Sequence, residues 1–206
     1  MLPARQASVD DAAARAPAEQ AKALVKRAWT LRSTTIASSP ANRAETEQAA
    51  AEVQRCLAKA VALFRAAGAD RELAAALGKL GHAEEDAGRA NAALACREEA
   101  VAVARRTGDP MPLAHAVRHL GDLHRKAGRL SEAEACYAEA LALYGGQDDA
   151  PALDYANALR PMAILSETLG RAGEARILWR RARDLYGTVP VKEGVAECTE
   201  HLARLG

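Results

Sequence analysis

The sequence predicts an all-α protein built from repeated pairs of helices, and three observations lead to that fold class. Of the 206 residues, 50% are hydrophobic but only 3% are aromatic, and alanine supplies much of the apolar fraction. Such a composition favours packing of helix on helix over a β-sheet, where β-branched and aromatic residues are enriched. Glycines interrupt the apolar pattern at intervals, and Cys56, Cys96 and Cys136 are spaced by 40 residues. This spacing indicates a structural repeat of that length.

The N-terminal part of the chain predicts one helix that follows a less regular segment. Residues 1–16 are small, polar and charged, and they predict a flexible or short helical segment. Pro17 suits the first turn of a helix, and apolar residues at a spacing of three and four follow it. We therefore expect a helix over about 18–34, with the SSPAN stretch at 38–42 ending it.

The remaining sequence predicts further helices that are separated by short, glycine-containing turns. The predicted helices cover about residues 44–67, 71–87, 90–106, 112–127, 130–145 and 151–169, then a helix from the break at 170–173 to 186, and a last one at 190–205. Pro161 falls inside one of them, where it removes a hydrogen bond at a cost of roughly 3 kcal/mol. We expect a kink just before Pro161 rather than a late start of that helix.

Internal similarity extends over two helices and the turn between them. The turn reads AGRANAA at 87–93, AGRLSEA at 127–133 and LGRAGEA at 169–175. The second helix of each pair repeats as well, as CLAKAVALF at 56–64, CREEAVAVA at 96–104, CYAEALALY at 136–144 and LWRRARDLY at 178–186. Agreement at so many positions identifies four copies of one helix-turn-helix unit.

These units resemble tetratricopeptide repeats (TPRs), in a long-loop form of about 40–42 residues. Leu120 and Gly121 match the Leu–Gly pair of the first helix, Gly128 matches the glycine between the helices, and Ala133 and Tyr137 match the Ala and aromatic positions of the second helix. The resemblance implies an α-α superhelix, a TPR-like solenoid, with a C-terminal capping helix at about 190–205. The predicted units span about residues 17–67, 71–107, 111–146 and 151–187.

Two departures from the family pattern stand out. Arg97 occupies the place of the large apolar residue in its second helix, and Met162–Ala163 replaces the Leu–Gly pair.

The resemblance also implies where a ligand would bind, because the first helices of such repeats line a concave groove. Register then predicts a set of polar groove residues for contact with a peptide or partner. They are His82, Glu85, His115, Arg118, Asp122, Arg125, Asn157, Arg160 and Glu167, with Glu193 and Glu200 on the last helix. The alternative is a solvated face with intrahelical pairs worth a few tenths of a kcal/mol each. The sequence leaves both interpretations open.

Two sharper hypotheses concern subsets of these residues. Arg118, Arg125 and Arg160 could together grip a carboxylate or phosphate. The family's carboxylate clamp for chaperone tails is disfavoured, since only Asn157 matches its pattern. His115, His119 and Asp122 share one helical face and have the chemistry of metal ligands, but polar residues on a solvated helix face are far more common, so we expect no metal site.

Composition and motifs narrow the function class. Lysine plus arginine number 28 against 27 acidic residues, so the formal charge of +1 favours neither nucleic acid nor membrane as a partner. No nucleophile elbow, zinc-protease motif or nucleotide-binding loop occurs, and we expect no enzymatic activity and no cofactor. The sequence thus predicts a cytoplasmic, non-enzymatic scaffold that binds a peptide or partner helix in the groove. Two alternatives stay open: a ligand-sensing or regulatory module with a separate output protein, and a self-assembling structural repeat.

Overall fold

A computed structural model describes the backbone of residues 4–37 and 43–206, and the side chains of residues 16–35 and 44–206. Over these ranges the chain forms helices and no strand. The helices are α1 (Ala4–Ala37), α2 (Arg43–Ala66), α3 (Asp70–Asp86), α4 (Ala90–Thr107), α5 (Pro110–Lys126), α6 (Leu130–Gly145), α7 (Ala152–Thr168), α8 (Ala172–Gly187) and α9 (Lys192–Arg204). The predicted all-α class of helix-turn-helix repeats is therefore confirmed. Within the same ranges, every helix is too short or too polar to cross a lipid bilayer.

The chain divides into two compact units. Unit 1 is Met1–Thr107 and contains α1 to α4; unit 2 is Gly108–Gly206 and contains α5 to α9. In unit 1, α1 packs on α2, α2 on α3, and α3 on α4. In unit 2, α5 packs on α6 and α7 on α8, while α6 also contacts α7 and α8 contacts α9. A further contact between α5 and α7 brings two first helices side by side.

The helix limits agree closely with the predicted ones from α2 onward, but the prediction for α1 is wrong. This helix begins at Ala4, so Pro17 lies in its interior instead of at its first turn. The local pattern around Pro17 fits either position, because proline is accepted at a helix start and tolerated inside where the lost hydrogen bond is offset elsewhere. The predicted break at 38–42 lies outside the described residues.

Pro161 occupies the interior of α7. The helix starts at Ala152, so a late start is excluded, and Pro161 is buried.

Small residues let the paired helices of unit 2 approach closely. Ala133 and Ala140 of α6 are fully buried, and the ring of Tyr137 between them is 0% exposed. Gly121 of α5 faces that ring, and a Cβ atom at this position would lie 2.7 Å from Cε1 of Tyr137. Gly121 is therefore required for this approach, since any side chain at this position would displace the tyrosine.

The turn between α5 and α6 follows the pattern predicted from its glycine. Gly128 has a φ of +74°, in the left-handed region that side chains disfavour. The amide of Gly128 donates to the carbonyl of Arg125, and the amide of Arg129 donates to that of His124 over 2.9 Å. These bonds satisfy carbonyl groups at the end of α5 and aim the chain into α6.

Candidate functional site

Seven of the predicted groove residues lie in unit 2, on α5 and α7. These two helices contact each other, and α7 is linked in turn to α9. In that link, Nε of Arg160 donates to Oε2 of Glu197 over 2.6 Å. We call the surface formed by these three helices the α5–α7–α9 face.

The α5 part of this face is a bonded cluster. Nη1 of Arg118 lies 3.3 Å from Oδ2 of Asp122, and Nη2 lies 2.6 Å from Nε2 of His119. Because arginine only donates, Nε2 of His119 accepts, which places the ring proton on Nδ1, 3.5 Å from Oδ2 of Asp122. Asp122 also accepts a 2.9 Å hydrogen bond from the hydroxyl of Tyr137. The cluster thus holds Asp122 between two helices.

This environment changes the acid–base properties of the cluster. Burial by itself would raise the pKa of Asp122, but the bond from His119, the charge of Arg118 and the bond from Tyr137 together hold that pKa below its ordinary value. Burial and the neighbouring Asp122 carboxylate raise the pKa of Tyr137 far above its ordinary value. Asp122 is therefore ionised and Tyr137 neutral across the physiological range.

On α7, two predicted residues hold aromatic side chains of α8. Asn157 accepts a 2.7 Å hydrogen bond from the hydroxyl of Tyr186. Glu167 accepts a short hydrogen bond from the indole Nε1 of Trp179. It also accepts one of 2.6 Å from Nδ1 of His201 on α9, whose ring stacks on Trp179 at 4.1 Å between centroids.

The remaining predicted residues of unit 2 differ in their exposure. Arg160 is 45% exposed despite its bond to Glu197, and His115 is also exposed, with its ring 4.5 Å from that of His119. Arg125 is half-buried beside the hydroxyl of Tyr137. Its Nε is buried and has no hydrogen-bond partner among the described residues.

Two further predicted residues, His82 and Glu85, lie in unit 1, both on α3. Oε1 of Glu85 accepts a 3.1 Å bond from Nη2 of Arg97, the arginine that replaces an apolar residue of the repeat. Arg97 is only 2% exposed, so this is a buried ion pair. His82 lies 3.8 Å from the same carboxylate oxygen, and its ring is 6.2 Å from that of Trp29.

The same type of hydrogen bond between paired helices occurs in both units. Glu85, Asp122, Asn157 and Glu167 each accept a hydrogen bond from a large, buried side chain on a second helix. We call these four residues the anchoring acceptors. A buried donor without a partner costs about 1–3 kcal/mol, so these acceptors stabilise the helix pairs. Their carboxylate and amide groups are engaged inside the fold, whereas Arg160 retains exposed surface.

Two residues of the face were missed by the sequence analysis. Glu197 and His201 make the α9 bonds to α7, whereas the predicted α9 residues were Glu193 and Glu200, which are exposed. The signal for the correct register was present: Gly194 and Cys198 mark the buried side of α9, and Glu197 and His201 flank it. No cluster of three or more side chains suited to a metal ion occurs within the described part of the chain.

One known protein family matches part of the sequence. The model of the tetratricopeptide repeat family matches residues 72–146. No curated protein matches the sequence.

Several solved structures share the fold. BtubC (BKLC) from P. vanneervenii is 16% identical, with 92% of this chain and 83% of that chain covered and a TM-score of 0.62. The apo form of RapI is 12% identical, with a TM-score of 0.74; the match covers 88% of this chain but only 61% of RapI. A putative kinesin light chain from Podosopora anserina with TPR-like repeats is 17% identical, with 85% of each chain covered and a TM-score of 0.60.

The chain is thus a helical repeat protein whose paired helices have the TPR-like fold. More specifically, its residues 72–146 match the model of the tetratricopeptide repeat family, in agreement with the resemblance of their Leu–Gly, glycine and alanine positions. Repeats of this family generally serve as scaffolds for protein–protein interaction and are typically non-catalytic.

Proposed function

We propose that this protein is a non-enzymatic scaffold, and that the α5–α7–α9 face binds a peptide or helix of a protein partner. The observation that carries the proposal is the Arg160–Glu197 pair, which spans α7 and α9 with both side chains partly exposed. An exposed ion pair contributes only about 0–1 kcal/mol, so a partner can displace it at little cost.

The chemistry of the partner follows from the groups that would displace this ion pair. A carboxylate on the partner would replace Glu197 at Arg160, and a hydrogen-bond donor would occupy the released Glu197. A hydrogen bond to a charged group contributes about 1.5–3 kcal/mol, which exceeds the cost of opening the pair. The anchoring acceptors Asp122, Asn157 and Glu167 would hold the face in shape beneath the partner.

Site-specific photocrosslinking tests whether the face is the contact surface. A photoreactive residue at Ile164, which lies on α7 between Arg160 and Glu167, should crosslink to the partner. The same residue at Ile177, 67% exposed on α8, should not. Equal crosslinking at both positions would remove the assignment of the face.

Alanine variants test whether the arginines of the face contribute to partner binding. Arg160→Ala should lower partner affinity about tenfold, the loss expected for one charge-assisted hydrogen bond. Arg180→Ala is the matched control, since Arg180 is exposed on α8. Arg118→Ala and Arg125→Ala should weaken binding as well, with thermal melting used to check that the fold survives. Unchanged partner recovery in Arg160→Ala would contradict the proposal.

A further inference from the structure

Unit 1 contains a pocket of about 370 Å³ between α1, α2 and α3. Small-molecule sites in proteins begin at about 300 Å³, so this volume suits a small ligand. Apolar side chains of all three helices contribute to the lining: Val25 and Trp29 from α1, Phe64 from α2, and Ala75 and Ala76 from α3. The pocket therefore offers an apolar group a place to bind.

Cations surround this apolar lining. Lys22, Lys26 and Lys79 line the pocket against one acidic residue, Glu72. Lys22 is bonded to Glu19 over 2.9 Å. Lys26 and Lys79, in contrast, form no ion pair with any carboxylate of the described residues, which leaves two positive charges available.

Lys79 is held in an unusual environment. Its Nζ lies 4.1 Å from the centroid of the Trp29 ring, and the guanidinium carbon of Arg32 lies 4.9 Å from the same ring. Partial burial, and then the charge of Arg32, lower the pKa of Lys79. Arg32 is paired with Asp86 at 2.6 Å, whereas no carboxylate of residues 16–35 and 44–206 is bonded to Lys79. An anion here would relieve the repulsion between the two cations.

We infer that this pocket binds a small amphiphilic anion, in which a carboxylate or sulfonate is joined to an apolar group. The acidic group lies between Nζ of Lys26 and Nζ of Lys79, and the apolar group contacts Trp29, Val25 and Ala76. Charge complementarity and the apolar lining argue together for this ligand class. The inference is independent of the proposed peptide site, because it concerns another unit and another kind of ligand.

Fluorescence titration of the full chain tests the inference. The probe is anilinonaphthalene sulfonate, and its uncharged counterpart N-phenylnaphthylamine serves as the matched ligand control. We expect saturable binding of the sulfonate, at least tenfold weaker binding of the uncharged compound, and displacement of the sulfonate by decanoate.

Variants locate the site. Lys79→Met and Lys26→Met should each weaken sulfonate binding about tenfold, since each removes one charge-assisted contact. Ala75→Trp should abolish binding by filling the pocket from an exposed position. Lys59→Met, which removes an exposed lysine of α2 away from the pocket, should leave the affinity unchanged. Circular dichroism confirms that each variant keeps its helix content.

Three results would overturn the inference. They are equal affinity for the charged and uncharged compounds, an equal loss of affinity in Lys59→Met, and absence of saturable sulfonate binding to the folded chain.

Discussion

At the scale of single residues, Gly121 shows how much the helix pair depends on one missing side chain. The ring of Tyr137 is fully buried and its hydroxyl is bonded to Asp122, so it cannot move aside easily. A Cβ at residue 121 would lie 2.7 Å and 2.9 Å from two ring carbons and 3.0 Å from Cβ of Cys136. The glycine therefore has a packing role that its helical position alone does not reveal.

We predict that Gly121→Ala destabilises the protein. Alanine favours the helix by about 0.5–1 kcal/mol, but overpacking of a filled interior costs about 1–3 kcal/mol. The matched control is Gly78→Ala in α3, where the new Cβ would meet only Nη1 of Arg97, at 3.7 Å. Urea unfolding should show a loss of stability for residue 121 and a small gain for residue 78. A gain at both positions would contradict the packing argument.

Asp122 makes the stability of unit 2 depend on pH. Its pKa in the folded protein is below its ordinary value, since the bonds and charges of His119, Arg118 and Tyr137 outweigh the effect of burial. The unfolded chain, with an Asp pKa of about 3.9, takes up the proton first as the pH falls. The ionised carboxylate therefore contributes stability that is fully present above about pH 5 and is lost as the pH falls through the lowered pKa of the folded protein.

This dependence is measurable as a difference between two proteins. The free energy of unfolding of wild type minus that of Asp122→Asn should be constant above about pH 5 and should shrink as the pH falls below about 4. Asp148→Asn, at an exposed position, should leave the free energy of unfolding nearly unchanged. A difference that grows on acidification would show that Asp122 is not stabilised as an anion.

At the scale of helices, the junction of α3 and α4 depends on a buried ion pair in place of an apolar contact. Arg97 is 2% exposed and packs so closely on α3 that a Cβ at Gly81 would lie 3.0 Å from its Nε. Its partner Glu85 is 17% exposed. A buried charge without its partner is costly, whereas an apolar pair of similar size is not.

We therefore predict strong coupling between these two positions. Glu85→Ala should destabilise the protein by about 3–5 kcal/mol, because it removes the carboxylate that is bonded to the buried guanidinium of Arg97. The double variant Glu85→Leu with Arg97→Met should be near the wild type or more stable. Urea unfolding of both single variants and the double variant gives the coupling energy. A double variant as unstable as Glu85→Ala would contradict this account.

Most helices could be predicted from the sequence, because periodicity, glycine stops and the 40-residue register agree from α2 onward. The start of α1 could not, since Pro17 is compatible with a helix start and with a tolerated interior position, and only the surrounding structure decides between them. Register also identified which residues occupy the first helices. It could not show that Asp122, Asn157 and Glu167 bond to buried aromatic side chains, because those bonds depend on side-chain direction across 12 to 29 residues of chain.

The pocket of unit 1 could not be predicted from the sequence either. Its lysines come from α1 and α3, and the repeat pattern is weakest in the N-terminal region. Trp29 was the available signal, because it is one of two tryptophans in the chain and lies within three residues of Lys26, Arg27 and Arg32. Trp179 at its repeat position is fully buried, whereas Trp29 is half-buried and contacts Lys79.

At the scale of the whole molecule, the near balance of charge bears on self-association. The formal charge is +1 and the isoelectric point is about 7.7. Proteins near zero net charge repel one another weakly, so association near this pH does not by itself indicate a specific interface.

Light scattering over a concentration series distinguishes non-specific association near the isoelectric point from assembly through a specific interface. We expect the weakest repulsion near pH 7.7, with repulsion increasing about two pH units to either side. A mass that stays at twice 21.8 kDa, or at a higher fixed multiple, at every pH would instead support the self-assembling alternative.

The residues that face each other across the paired helices have a consequence for the exchange of repeats. At one register position the first helices carry Glu85, Arg125 and Glu167, and at another the second helices carry Arg97, Tyr137 and Trp179. Each first helix is therefore matched to its own second helix. A chimera that joins α5 to α4 would place two cations, Arg125 and Arg97, at facing positions and would lose the hydrogen bond from Tyr137 to Asp122, so it should be less stable than either natural helix pair. Although the repeats look alike in sequence, they are not interchangeable, and a substitution at one of the two positions requires a matching substitution at the other.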